Sequence, residues 1–190
     1  MNYSLEKLKL SLKIQIQILL IQLRILILRQ KLTIPSIKKP KFIIIHHEGA
    51  SNGFDIVNAW HKKCWGFKSS LSKSGIIDGE IYHPHSYIGY QLYLDKDKKW
   101  HRGRSDFEEG AHCPGHNKDS IGICVIGNHK YKKINVELNF MLINKVDELR
   151  IKYDIPKENV LGDKEGRIKS RPTSCPCLLM EWVKNYRLSI

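Results

Sequence analysis

The sequence predicts a single α/β domain, a central mixed β-sheet flanked by helices, preceded by an apolar N-terminal helix. Three observations predict it. From Lys41 onward, short β-branched runs bounded by turn residues alternate with longer stretches of helical period. At 190 residues the chain is long enough for one full-sized core and short for two. A basic, apolar segment of different composition precedes the first strand, so residues 1–40 are read as an N-terminal helix and linker and residues 41–190 as the domain.

The N-terminal segment is led by LKIQIQILLIQLRILILRQ, Leu12 to Gln30, the most apolar stretch in the chain. Gln15, Gln17, Gln22 and Arg24 interrupt it, and the run Ile14–Leu28 is shorter than the roughly 20 residues a bilayer needs. No small-x-small cleavage site follows, so no cleavable signal peptide is expected. The segment reads as a helix for membrane-surface contact or self-association, with a weak signal anchor as a third option. TIPSIKKPK, with two prolines and three lysines, is the linker.

Phe42-Ile43-Ile44-Ile45 reads as a buried strand, and it ends in His46-His47-Glu48 where a plain turn would do. Successive strand side chains alternate in direction, so at most one of the two histidines aims where the strand aims its function. Phe54–Lys63 reads as a helix with Ile56, Val57 and Trp60 on one face. Tyr87–Leu94 reads as a strand, closed by the turn DKDKK that leads into Trp100. Ser120–Asn128 is a second strong strand, with Cys124 as core packing. Asn135 is placed to cap a long helix in which Leu138, Leu142, Val146, Leu149 and Tyr153 recur at helical spacing. NVLG is a short strand, and Leu179, Trp182, Val183 and Tyr186 mark a final helix.

The formal net charge is +13, unevenly spread. Residues 1–40 hold eight lysines and arginines against one glutamate, and the rest of the chain carries the remaining +6. Such a balance suits an acidic partner, whether nucleic acid, anionic lipid or anionic cell-wall polymer. Zinc-finger spacing, an RNA-binding aromatic strand and a basic recognition helix are all absent, so no specific nucleic-acid partner is expected. The five cysteines form no CxxC pair, and their odd count leaves at least one free or metal-bound.

Zinc requires three or four converging N, S or O ligands, with one position left to water in a catalytic site. His46 after the first strand, Asp163 after NVLG and Cys175 in RPTSCPC all sit at element ends. Taken alone, Asp163 reads equally well as a turn or cap residue, and Cys175 as the start of the last helix.

Five motifs in order carry a resemblance: IIIHHEGAS, IGYQLYLDKDKKWHRGR, EEGAHCPGHNKDSIGICVIGN, VLGDKEG and RPTSCP. Together they resemble the zinc N-acetylmuramoyl-L-alanine amidases, typified by the amidase-type phage lysozymes and the related animal peptidoglycan recognition proteins. The resemblance spans about residues 41–186. It implies zinc as cofactor, with His46 and Cys175 as ligands. Asp163 stands where the family usually has histidine. It also implies Tyr90 as the catalytic tyrosine, Thr173 at a position that is lysine in phage members and threonine in amidase-active recognition proteins, and His112 as a groove-lining residue that is not a ligand. The implied substrate is peptidoglycan muropeptide, cut between N-acetylmuramic acid and L-alanine at the bacterial cell wall by a protein made in the cytoplasm. The alternative is a non-catalytic peptidoglycan-binding module with a degraded zinc site. Aspartate is an acceptable zinc ligand. A His/Asp/Cys set, however, brings two anions and cancels the metal's formal charge, where His/His/Cys leaves +1; such a site is expected to act toward alkaline pH. Because every motif lies after Lys41, a chain lacking residues 1–38 is expected to fold, bind zinc and remain active, which circular dichroism, zinc content and a peptidoglycan-release assay on the truncated protein would check.

Overall fold

The computed structural model describes residues 39–189. The expected N-terminal helix falls outside that range. Among the described residues no helix is long and apolar enough to cross a membrane.

Seven strands form one mixed sheet in the order β2-β3-β5-β4-β6-β1-β7. The strands are β1 (Phe42–His47), β2 (Gly75–Ile77), β3 (Glu80–Tyr82), β4 (Leu92–Leu94), β5 (Trp100–Arg102), β6 (Ser120–Val125) and β7 (Val160–Gly162). The helices are α1 (Phe54–Cys64), α2 (Val136–Tyr153), the single turn α3 (Asp163–Gly166) and α4 (Leu179–Leu188). β1 lies between β6 and β7 and is parallel to both, with Ile45 opposite Ile123 and Gly162. Parallel strands are buried on both faces, which is why β1 and β6 read as continuous apolar runs. Ile43, Ile45, Ile121, Ile123 and Val125 share a core with Leu142, Val146 and Leu149 of α2 and Leu179 and Val183 of α4.

Most elements form for the reasons their sequence suggests. The Asn135 side chain accepts the Leu138 amide at 2.8 Å and starts α2, and Asp154, left-handed at φ 57°, ends it. β4 and β5 form the expected hairpin across Asp95–Lys99. β2 and β3 form a further hairpin that was not anticipated. Its signal is Asp78-Gly79, both with positive φ, between Ile76-Ile77 and Glu80-Ile81-Tyr82.

Three expectations need correction. The run Tyr87–Leu94 pairs as a strand only over Leu92–Leu94. Its first half passes so close to the neighbouring loop that a Cβ on Gly89 would lie 2.3 Å from the Ala111 carbonyl oxygen, and it bends to make that approach. β6 stops at Val125, and Gly127 with φ 112° turns the chain away. In α1, Phe54 and His61 are buried and Val57 packs on the core, while Ile56 and Trp60 are exposed. The buried stripe follows positions 54, 57 and 61. A histidine at its end hid the stripe from an apolar count.

A buried ionic network ties the β3–β5 half of the sheet to α2. Arg102 pairs with Glu80 and with Asp106, Lys145 reaches Glu80 at 3.0 Å, and the Tyr153 hydroxyl donates to Asp106 at 2.6 Å. Arg102→Ala removes the cation shared by two buried carboxylates, leaving Glu80 only Lys145 and Asp106 only Tyr153 and Lys152, and is expected to cost about 3 kcal/mol, read as a lowered urea midpoint.

Candidate metal centre

The parallel strands β1 and β7 end at the same side of the sheet, and the chain uses both ends. β1 delivers His46 there. β7 runs straight into α3, whose first residue is Asp163. Cys175 arrives from the loop before α4 and is fixed by its carbonyl, which accepts the Lys164 amide at 2.7 Å. Thr173 supports the same loop by accepting the Cys175 amide on Oγ1 at 3.1 Å.

His46, Asp163 and Cys175 each offer one donor atom, and the three atoms lie within 4.8 Å of one another. His46 Nδ1 is 3.5 Å from Asp163 Oδ2 and 3.9 Å from Cys175 Sγ. Donors around a tetrahedral zinc ion at its usual bond lengths stand roughly 3.3 Å apart for N and O and roughly 3.6 Å for N and S. The two distances from His46 fit such an ion within a few tenths of an ångström. His47 faces away, as strand alternation requires. Its Nδ1 accepts the His129 amide at 3.1 Å, and its Nε2 meets Cys177 Sγ at 3.7 Å.

Behind His46 a chain of hydrogen bonds holds its ring. His46 Nε2 is 3.0 Å from His112 Nδ1, and His112 Nε2 is 3.4 Å from Ser120 Oγ, which donates to the His116 carbonyl. Burial, followed by His46, holds the His112 pKa well below its usual value, so its ring is neutral. It accepts the Nε2–H of His46 and leaves His46 Nδ1 to face the other donors. His112 is packed behind His46 and only 5% exposed. Gly110 and Gly122 make room for it, since a Cβ on either would come within 2.7 Å of the imidazole.

Asp163 and Cys175 carry opposite electrostatic histories. Burial raises the Asp163 carboxyl, but hydrogen bonds and charge from His46 and Arg167 outweigh it and bring the pKa down to about 2. Burial pushes the Cys175 thiol up to about 12, outweighing a lowering backbone hydrogen bond with His47, so a cation is needed to compensate the thiolate. The Arg167 guanidinium grips Asp163, with Nε to Oδ1 at 3.0 Å and Nη2 to Oδ2 at 2.6 Å.

Tyr90 stands over the site with its ring centroid 5.0 Å from that of His46. Burial, aided by Cys124 and Cys175, raises its pKa well above the usual phenol, so it keeps its proton. Two residues near it escaped the sequence reading. His61 accepts the Gly89 amide on Nδ1 at 2.8 Å and lies 5.6 Å from the Tyr90 ring, fixing the loop that carries the tyrosine. Its sequence context, a histidine before two lysines on a helix, held no signal. Arg167 did have one, four residues after Asp163 on a helical turn. A cavity of about 760 Å³ lies near Lys41, Phe42 and Asp119, at the opposite end of β1, and touches none of the site residues.

The family model described as N-acetylmuramoyl-L-alanine amidase matches residues 36–177. The endolysin of Enterobacteria phage K11 is 31% identical over 108 residues, 53% of this chain and 67% of the phage protein. Among solved structures, the N-acetylmuramoyl-L-alanine amidase LysC from Clostridium intestinale URNW is similar with a TM-score of 0.60 and 25% identity, over 79% of this chain and 87% of that one. Wild-type Drosophila PGRP-LB shares the fold with a TM-score of 0.58 at 21% identity, over 77% of this chain and 81% of its own. By the match over residues 36–177, the chain belongs to the N-acetylmuramoyl-L-alanine amidase family.

Proposed function

We propose that the chain is a zinc-dependent peptidoglycan amidase that hydrolyses the amide between the lactyl group of N-acetylmuramic acid and the L-alanine of the stem peptide, acting at the bacterial cell wall. The observation that carries this reading is the convergence of the His46, Asp163 and Cys175 donor atoms within 4.8 Å of one another, beside a protonated Tyr90. Zinc, held by those three donors, would supply Lewis acidity and an activated water. The protein's own groups supply orientation and hydrogen bonds. His112 fixes the His46 ring and turns its Nδ1 toward the other two donors. The Tyr90 hydroxyl donates to the oxygen that gains charge as the amide carbonyl is attacked. The Thr173 hydroxyl, which accepts from the Cys175 amide, keeps its own proton to donate there as well. Donors of this kind are typically worth about 1.5–4 kcal/mol each.

A second reading, a peptidoglycan-binding module without catalysis, is favoured by the carboxylate at position 163 where the family usually has histidine. Against it stands the joint presence of Tyr90, Thr173 and Cys175 around that position, which binding alone does not require. Zinc content of the purified protein, measured with release of stem peptides from peptidoglycan, separates the two.

His46→Ala and Cys175→Ser are each expected to abolish peptide release and reduce zinc occupancy. His47→Ala should retain substantial zinc. Metal analysis of the three variants checks the assignment, and an empty site in His47→Ala alone would place the ligand one residue later. Tyr90→Phe should keep fold and zinc but lower turnover by roughly ten- to a thousandfold. Steady-state rates on purified muropeptide test this, and an unchanged rate would remove Tyr90 from the reaction.

A further inference from the structure

The charge count for a His/Asp/Cys centre changes once the surroundings of Asp163 are included. Asp163 opens a four-residue helical turn, and Arg167 follows its last residue, with the Arg167 amide bonded to the Asp163 carbonyl at 2.9 Å. From there the guanidinium folds back onto the Asp163 carboxylate through two nitrogens, at 3.0 Å and 2.6 Å. Nη2 also donates to the His112 carbonyl at 3.0 Å, so the fork is anchored to the loop that carries the partner of His46. The neighbouring acid does not draw it away, because Glu165 is taken by Arg187 at 2.8 Å and by the Gly162 amide.

We infer that Arg167 is a positioning residue for the metal centre: it aims Asp163 Oδ2 at the ion and supplies the positive charge that is lost when carboxylate replaces the family's imidazole. The inference rests on the metal-site reading above. A carboxylate oxygen has lone pairs for two partners, so Oδ2 can accept from Nη2 and still face His46 Nδ1 and the shared metal position, 3.5 Å from that nitrogen. A short helical turn leaves the Asp163 side chain free to rotate, and a two-point fork removes that freedom. A divalent ion with one neutral and two anionic ligands has no net charge. With Arg167 in contact the assembly returns to +1, the value of a His/His/Cys centre. The two residues therefore act as one unit: aspartate at 163 with arginine at 167.

The test is the zinc dissociation constant of the full chain, measured by competition with a chromophoric chelator at fixed pH. The proteins are wild type, Arg167→Ala, Arg167→Lys, Asp163→His and the double variant Asp163→His/Arg167→Ala. Urea midpoints of the metal-free proteins are measured alongside. Loss of a partner that orients a metal ligand typically costs about 10–100-fold in affinity, and Arg167→Ala should fall in that range. Arg167→Lys, which keeps the charge but not the fork, should lie between it and wild type, and it serves as the readout if Arg167→Ala fails to fold. In the Asp163→His background, removing Arg167 should change affinity by no more than about threefold, because no carboxylate remains to orient. Equal affinity in wild type and Arg167→Ala, or an equal loss in both backgrounds, would overturn the inference and leave the metal site standing. A wild-type protein that takes up no zinc would overturn the metal-site reading itself, and this inference with it.

Discussion

The parallel pairing of β1 with both β6 and β7 is the constraint on which the rest of the molecule depends. Register follows from it. Ile43 and Ile45 pack against α2 and α4, and the alternation that buries them turns His46 to the opposite face and His47 back toward the loop at His129. Because β7 runs in the same direction, its last residue and the helical turn after it meet the end of β1, bringing Asp163 to His46 across a long separation in sequence. A slip of one residue in β1 would exchange the two histidines. The buried isoleucines oppose that slip, so the apolar core holds the polar site in place.

Legibility varied with how far each feature depends on its own residues. The cap at Asn135, the period of α2, the DKDKK hairpin and the placement of NVLG all follow from local chemistry, and the structure agrees. The first half of Tyr87–Leu94 has strand composition yet bends, because its conformation is set by how closely Gly89 approaches Ala111. α1 misled for a related reason. Its buried stripe ends in His61, whose value to the fold lies in a hydrogen bond to Gly89, and no count of apolar residues registers that.

The site divides along the same line. His46, Asp163 and Cys175 occupy the ends of recognisable elements, and their order in the chain singled them out. How the surrounding groups bond to them did not show in the sequence. The ring behind His46 belongs to a loop residue whose neighbour in space, Ser120, is bonded to it through an 8-residue excursion. The charge on Asp163 is answered from within its own turn, so a balance struck over ligands alone omits a full positive charge in contact with one of them.

The two glycines that admit the His112 ring bear on how this centre can diverge. Neither Gly110 nor Gly122 touches the donor atoms, yet each is as confined as a ligand, because any side chain there would collide with the imidazole that steadies His46. Gly122 sits in the interior of β6, where glycine is otherwise a poor choice. Drift at 122 is therefore open only to lineages that first shrink residue 112, and with it surrender the hydrogen bond that orients His46. The order in which changes accumulate is thus restricted by space, and an evolutionary path that loses the centre would pass through position 112 before it reached position 122.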